Sequence, residues 1–171
     1  MLRQLLKIQR TGIVTEPLLR DEAFELTGDA LRRELGARFA GSLAIRQVDA
    51  GSCNGCELEI HALNNVYHSI ERFGVHFVAS PRHADLLLVT GPVSRHMEAA
   101  LGRTFDAMPE PRLVLAAGAC AIDGGEFGVS YASCGAVANV IPVDGVIQGC
   151  PPTPLALMNG ILALIASRAR S

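Results

Sequence analysis

The chain has 171 residues, the size of a single domain with one sizeable core. Hydrophobic residues make up 49% of it and charged residues 19%, so much of its apolar surface must be covered by its own layers or by a partner. Its net charge is −2 and its lysines and arginines are scattered, which excludes the basic surface of a nucleic-acid-binding protein.

The longest apolar runs, at residues 113–122 and 155–166, are shorter than the roughly 20 residues that a membrane-spanning helix needs. Residues 1–10 carry charges where a signal peptide has its apolar segment. We therefore expect a cytoplasmic protein, in which the five cysteines serve metal or redox chemistry rather than disulfides.

Residues 1–40 are predicted to form an N-terminal helical extension. The apolar positions of a short first helix are Leu2, Leu5, Leu6 and Ile8. Residues 15–17 interrupt it, and a second helical pattern covers residues 21–39. These apolar positions are too few to form a core of their own. The extension therefore either packs on its own domain or serves as an arm that docks on another subunit.

Residues 41–171 alternate between strand, loop and helix. Strands are predicted at residues 43–48, 75–78, 85–90, 112–116 and, short and broken by Pro142, at 140–143. Helices are predicted at residues 58–72, 95–108, 134–139 and 153–166. The third and fourth strands are continuously apolar, which is typical of parallel strands covered on both faces. The alternation predicts an α/β domain with a doubly wound parallel sheet.

Four of the five cysteines follow predicted strands. Cys53 and Cys56 follow the first strand, Cys120 the fourth and Cys150 the fifth. Ligands of open parallel sheets bind beyond the carboxyl ends of the strands, so we expect these four thiols to converge there. Glycines surround all three cysteine loops, which lets the backbone approach a bound group closely.

The spacing of the cysteines separates three kinds of site. Structural zinc sites usually use two close pairs, whereas here one close pair is joined by two distant single cysteines. A thioredoxin-like redox pair would leave Cys120 and Cys150 unused. A [4Fe–4S] cluster takes one thiolate at each of four corners and tolerates irregular spacing, so the pattern favours a cluster. A non-catalytic zinc-binding module is the alternative, and Cys134 is interpreted as a buried apolar residue.

Several motifs occur in the order of a known family. They are Cys53-Asn54-Gly55-Cys56, Ser80-Pro81-Arg82-His83-Ala84-Asp85, Thr90-Gly91-Pro92-Val93, Gly118-x-Cys120 and Gly149-Cys150-Pro151-Pro152-Thr153-Pro154. Together, over about residues 41–165, they resemble the small iron–sulfur subunit of membrane-bound, energy-converting [NiFe] hydrogenases, a group that includes formate hydrogenlyase. They are also similar to the homologous B subunit of NADH-quinone oxidoreductase (complex I).

The resemblance implies a flavodoxin-like fold for residues 41–171. It also implies that Cys53, Cys56, Cys120 and Cys150 hold one [4Fe–4S] cluster next to the large subunit of a membrane-associated oxidoreductase complex. Glu59 is matched to a glutamate that lies near the subunit interface and helps to transfer protons.

The implied partners are a large hydrogenase-like subunit, a ferredoxin-like electron-transfer subunit and membrane subunits, on the cytoplasmic face of the inner membrane. The B subunit of complex I carries adjacent cysteines in its first motif, whereas Cys53 and Cys56 are separated, which favours the hydrogenase side. The chain also lacks the twin-arginine signal and the longer C-terminal half of periplasmic small subunits. The alternative within the family passes electrons to a quinone, or couples them to ion transport, without nickel.

Overall fold

The structure, a computed structural model, describes residues 2–12 and 21–167. Its strands are β1 Leu43–Asp49, β2 Val75–Phe77, β3 Leu86–Thr90, β4 Leu113–Ala117 and β5 Gly145–Ile147. Its α-helices are α1 Leu2–Thr11, α2 Glu22–Arg38, α3 Gly55–Leu63, α4 Arg95–Asp106, α5 Ala119–Asp123 and α6 Pro154–Ser167. Short 3₁₀ turns occur at Ile70–Phe73, Pro81–His83 and Val137–Asn139.

The five strands form one parallel sheet in the order β2-β1-β3-β4-β5. This is the strand order of flavodoxin-like folds, so the predicted doubly wound sheet is confirmed. β3 and β4 are central, and every residue of both strands is buried, as their continuous apolar runs predicted.

Each face of the sheet buries its own apolar cluster. Leu86 and Leu88 point to the face covered by α2, α3 and α6, whereas Leu87 and Val89 point to the face covered by α4 and α5. The alternation follows from the two-residue period of a strand. Helices on both faces leave the strand ends as the place where side chains from separate loops can meet.

Helix α2 packs on the first of these faces. Its residues Phe24, Leu31 and Leu35 are buried in that cluster. The helix also approaches the 3₁₀ turn that precedes β2 so closely that a Cβ on Gly28 would overlap the ring of Phe73. The contact surface of α2 is therefore part of the α/β domain.

Helix α1 behaves differently, because none of its residues is buried. The predicted break at residues 15–17 lies outside the described residues. The division into an extension over residues 1–40 and a domain over residues 41–171 stays a prediction. No helix within the described part of the chain has the length and apolar character needed to cross a membrane.

The fifth strand was predicted at the wrong place. Residues 140–143 do not form a strand, and β5 begins only at Gly145. Pro142 has no N–H to give to a ladder, and the chain joins the sheet only after Asp144, whose carboxylate accepts the N–H of Val114 at 2.8 Å.

Two predicted helices are shorter than expected, and one was missed. The helix predicted at residues 58–72 ends at Leu63, where the side chain of Asn65 accepts the N–H of His68 and turns the chain. Residues 134–139 contain only a three-residue 3₁₀ turn. The sequence pattern did not predict α5, which carries Cys120.

Candidate metal centre

Four cysteines lie at the carboxyl edge of the sheet, as their positions after the strands predicted. Cys53 lies in the loop between β1 and α3, and Cys56 in the first turn of α3. Cys120 lies in α5, directly after β4, and Cys150 follows β5. Because β1 and β4 flank β3, and β5 lies beside β4, these loops surround the crevice where such sheets bind ligands.

The three cysteine loops contact one another. The N–H of Ala119 donates to the carbonyl of Gly149 at 2.9 Å, which joins the Cys120 loop to the Cys150 loop. A Cβ on Gly55 would lie 3.6 Å from Cys53 Sγ and 3.8 Å from Pro151 Cβ, so the first loop lies against the last. The loops therefore form one continuous lining.

Two glycines leave the space in which two of the sulfurs lie. A Cβ on Gly118 would come within 2.6 Å of Cys56 Sγ, and one on Gly125 within 2.8 Å of Cys120 Sγ. Real Cβ atoms essentially never approach a sulfur this closely. Small residues at these positions let the backbone come near the two thiols.

The thiols are close enough to influence each other's ionisation. Burial is the main reason that the pKa of Cys56 rises from 9.0 to about 11. The further causes, in decreasing order, are Glu57, Cys53, Cys120 and Cys150. Burial also raises the pKa of Cys120, followed by the effects of Cys150 and Cys53. Raised pKa values favour the protonated thiols of Cys56 and Cys120, so a metal group that binds there has to displace their protons.

Across residues 2–12 and 21–167, no three His, Cys, Asp or Glu side chains are grouped so as to hold one metal ion.

A buried carboxylate that the sequence reasoning missed supports the first loop. Glu57 is only 5% exposed. It accepts hydrogen bonds from Ser52 Oγ at 2.6 Å and from Thr90 Oγ1 at the end of β3. The Ser52 hydroxyl in turn accepts the N–H of Asn54 at 3.0 Å. Glu57 therefore ties the loop that carries Cys53 to the neighbouring strand.

The helix period could not have identified this residue. The apolar positions Cys56, Ile60 and Leu63 define the buried face of α3, and at about 100° per residue Glu57 lies at the margin of that face, no nearer to its centre than Glu59. Glu59, the glutamate singled out from the sequence, lies beside that face and is partly exposed. Its predicted role in proton transfer stays a prediction.

Cys134 is separate from the four-cysteine site. It is buried in the apolar cluster beside α4, and its thiol donates to Glu98 Oε2 at 3.3 Å. Burial, followed by this hydrogen bond, raises its pKa. Its surroundings agree with the interpretation of Cys134 as a small buried residue.

The sequence matches known proteins over most of its length. The family model described as NADH ubiquinone oxidoreductase, 20 Kd subunit, matches residues 53–164. Formate hydrogenlyase subunit 7 of Escherichia coli K12 is 41% identical, over 77% of this chain and 51% of that protein. The probable membrane-bound hydrogenase subunit mbhJ of Pyrococcus furiosus is 38% identical, over 85% of this chain and 91% of that protein.

A third relative is a subunit of NADH-quinone oxidoreductase, the second kind of protein that the motifs resemble. The B subunit of NADH-quinone oxidoreductase from Desulfovibrio desulfuricans is 48% identical, over 64% of this chain and 59% of that protein. The chain thus spans between half and two thirds of two of these relatives and nearly all of the Pyrococcus one. All three relatives are named as subunits of hydrogenases or quinone oxidoreductases, which are oxidoreductases.

Solved structures agree with these matches. A chain of the membrane-bound sulfane sulfur reductase, an archaeal respiratory membrane complex, superposes with a TM-score of 0.67 and 33% identity, covering 88% of this chain and 78% of that one. A chain of the NAD⁺-reducing [NiFe]-hydrogenase superposes with a TM-score of 0.57 over 74% of this chain and 92% of that one, at 19% identity. The second likeness concerns the fold alone.

Gly125 and Gly128 provide a matched test of the space around the sulfurs. Both have a left-handed backbone, with φ of 52° and 53°, but a Cβ on Gly128 would meet nothing within 4 Å. Both alanine variants share the backbone cost of about 1 kcal/mol. We expect Gly125→Ala, whose methyl group displaces Cys120 Sγ, to bind several-fold less iron per chain than Gly128→Ala after anaerobic reconstitution. Equal iron content in the two variants would show that the position of Cys120 Sγ beside Gly125 does not matter for iron binding.

Proposed function

Because this chain belongs to the NADH ubiquinone oxidoreductase, 20 Kd subunit family, we propose that it is the electron-transfer subunit of a membrane-associated, [NiFe]-hydrogenase-like oxidoreductase complex. In this proposal it carries one [4Fe–4S] cluster on Cys53, Cys56, Cys120 and Cys150. The observation that carries the proposal is the meeting of these four thiols in three contacting loops at the carboxyl edge of the sheet.

The residues of the chain have distinct tasks at this site. The four thiolates are the iron ligands, and the glycines at 118 and 125 leave room for the sulfurs of Cys56 and Cys120. The Glu57 hydrogen bonds hold the Cys53 loop in place against β3. A [4Fe–4S] cluster held here supplies one-electron transfer.

The surface around the site supports docking of a large subunit. Phe127, Val129 and Tyr131 follow α5 and are 59%, 70% and 98% exposed. A cavity of about 200 Å³ beside this segment is lined by Gly51 of the Cys53 loop as well as by Phe127. Exposed apolar side chains next to a site of this kind mark a protein-binding surface. We assign this surface to the large hydrogenase-like subunit, with a ferredoxin-like subunit as electron donor.

A second candidate function has a specific observation in its favour. The 48% identity to the B subunit of an NADH-quinone oxidoreductase supports a complex that passes electrons to a quinone or couples them to ion transport without nickel. Hydrogen-dependent reduction of a viologen dye by the purified complex, together with its nickel content, distinguishes the two candidates.

We place the chain on the cytoplasmic face of the inner membrane, attached through its partners. The attachment to a membrane complex is supported by relatives that include a protein named as part of a membrane-bound hydrogenase and a chain of a respiratory membrane complex.

Cysteine variants test the cluster itself. We expect Cys120→Ala, which loses one corner ligand, to abolish the broad absorbance near 400 nm of the anaerobically purified chain, whereas Cys134→Ala retains it. Equal iron loss in both variants would refute the ligand set. A colourless chain with stoichiometric zinc would favour the non-catalytic zinc module instead.

Glu59 is proposed to transfer protons near the large subunit, and Glu57 to hold the loop. In the assembled complex we expect Glu59→Gln to lower proton-coupled turnover about 10²-fold, with an unchanged cluster spectrum, because the amide cannot carry the proton. Full turnover in Glu59→Gln would rule out the role of Glu59 in proton transfer.

Glu57→Gln leaves one hydroxyl without an acceptor, so we expect it to reduce iron retention.

Helix α1 is proposed to dock on the membrane subunits. An isolated helix of this length is marginal in water, and Leu5 and Leu6, 58% and 51% exposed, lie on its apolar face. We expect the double variant Leu5→Ser, Leu6→Ser to lose retention of the chain in the membrane fraction, while Gln4→Ser, Thr11→Ser, on the opposite side of the helix, behaves like the natural chain. Equal retention of the two variants would refute this docking role.

A further inference from the structure

A cleft opens where β2 separates from β1. The two strands pair only at Leu43 to Ile45, opposite Val75 to Phe77, whereas β1 continues alongside β3 to Asp49. Beyond Phe77 the chain leaves the sheet, and α3 closes the other wall. The resulting cleft has a volume of about 290 Å³ and is lined by none of the four cysteines.

Arg46 of β1 is part of this lining and is left without a partner. Its Nε is buried and has no hydrogen-bond acceptor among the described residues. No ion pair joins its guanidinium to any residue in the described ranges 2–12 and 21–167. A buried donor without an acceptor is costly, and it is most costly when it belongs to a charged group.

The remaining lining combines three polar and four apolar residues and contains no acid. It consists of Gln47, Ile60, His61, Asn64, Phe77, Val78 and Ala79. The two amides and the imidazole add hydrogen-bonding groups around a positive charge that nothing in the cleft balances. The volume, just below the roughly 300 Å³ at which pockets for small-molecule ligands begin, suits a side chain better than a cofactor.

We propose that this cleft binds a carboxylate, with Arg46 as its cationic partner, and that the carboxylate belongs to an acidic side chain of a neighbouring subunit. A carboxylate matches the planar fork of a guanidinium and supplies the acceptor that Nε lacks. The cleft alone supports the binding of a carboxylate. The assignment of that carboxylate to a neighbouring subunit rests on the proposed function.

Acetate, which has the chemistry of an acidic side chain, tests the cleft in the full-length chain. The melting temperature is measured against sodium acetate, with sodium chloride keeping the ionic strength constant. We expect a saturable rise for the natural chain, because a ligand of the folded state stabilises it, and none for Arg46→Gln. Arg103→Gln, which removes an exposed arginine of α4, is the matched control and should retain the rise. Arg46→Lys keeps the positive charge but lacks the planar guanidinium, and we expect a smaller rise in its melting temperature.

Co-purification from the assembled complex tests the source of the carboxylate. We expect Arg46→Gln to lose its partner subunits in a salt wash several-fold more readily than Arg103→Gln does. A saturable acetate effect with unchanged retention would overturn the subunit assignment in favour of a free carboxylate. Absence of the acetate effect from the natural chain would overturn the site.

Iron measured in the same samples separates this inference from the proposed function. We expect Arg46→Gln to bind as much iron as the natural chain, because no cysteine lines the cleft. A chain without iron that still responds to acetate would refute the cluster and leave the cleft standing.

Discussion

The parallel direction of β1, β4 and β5 is the constraint on which the site depends. Parallel strands end at the same edge, so the loops that follow them meet although Cys56 and Cys150 are far apart in sequence. The close approach of sulfur to backbone at Gly118 and Gly125 then fixes how near the loops can come. Distant thiols are thereby brought together by the sheet rather than by a local knuckle of chain.

The buried carboxylate of Glu57 stabilises the loops at the carboxyl edge of the sheet. A carboxylate removed from water needs hydrogen-bond donors, and the hydroxyls of Ser52 and Thr90 provide them. Because one donor belongs to the loop and the other to β3, satisfying the carboxylate also fixes the loop on the strand. The same interactions that stabilise the fold therefore position a ligand loop.

The parts of the structure that the sequence predicted are those governed by repeating patterns. The continuous apolar runs of β3 and β4 and the positions of the cysteines after strands were enough to predict the sheet and the meeting of the thiols. The displaced β5 depends on a long-range hydrogen bond of Asp144, and the partnerless Arg46 depends on where β2 leaves the sheet. Neither feature leaves a signal in the local sequence. Glu57 leaves none either, because the period of α3 places it at the margin of the buried face and its burial depends on the hydroxyls of Ser52 and Thr90.

The four thiols differ in exposure, since Cys53 and Cys150 face solvent whereas Cys56 is buried. Access to the site is therefore one-sided. On the proposed function, a large subunit that covers Cys53 and Cys150 closes this exposed side. On that proposal, iron has to reach Cys53 and Cys150 before the partner covers them, so the order of loading and docking is fixed by which thiols are exposed.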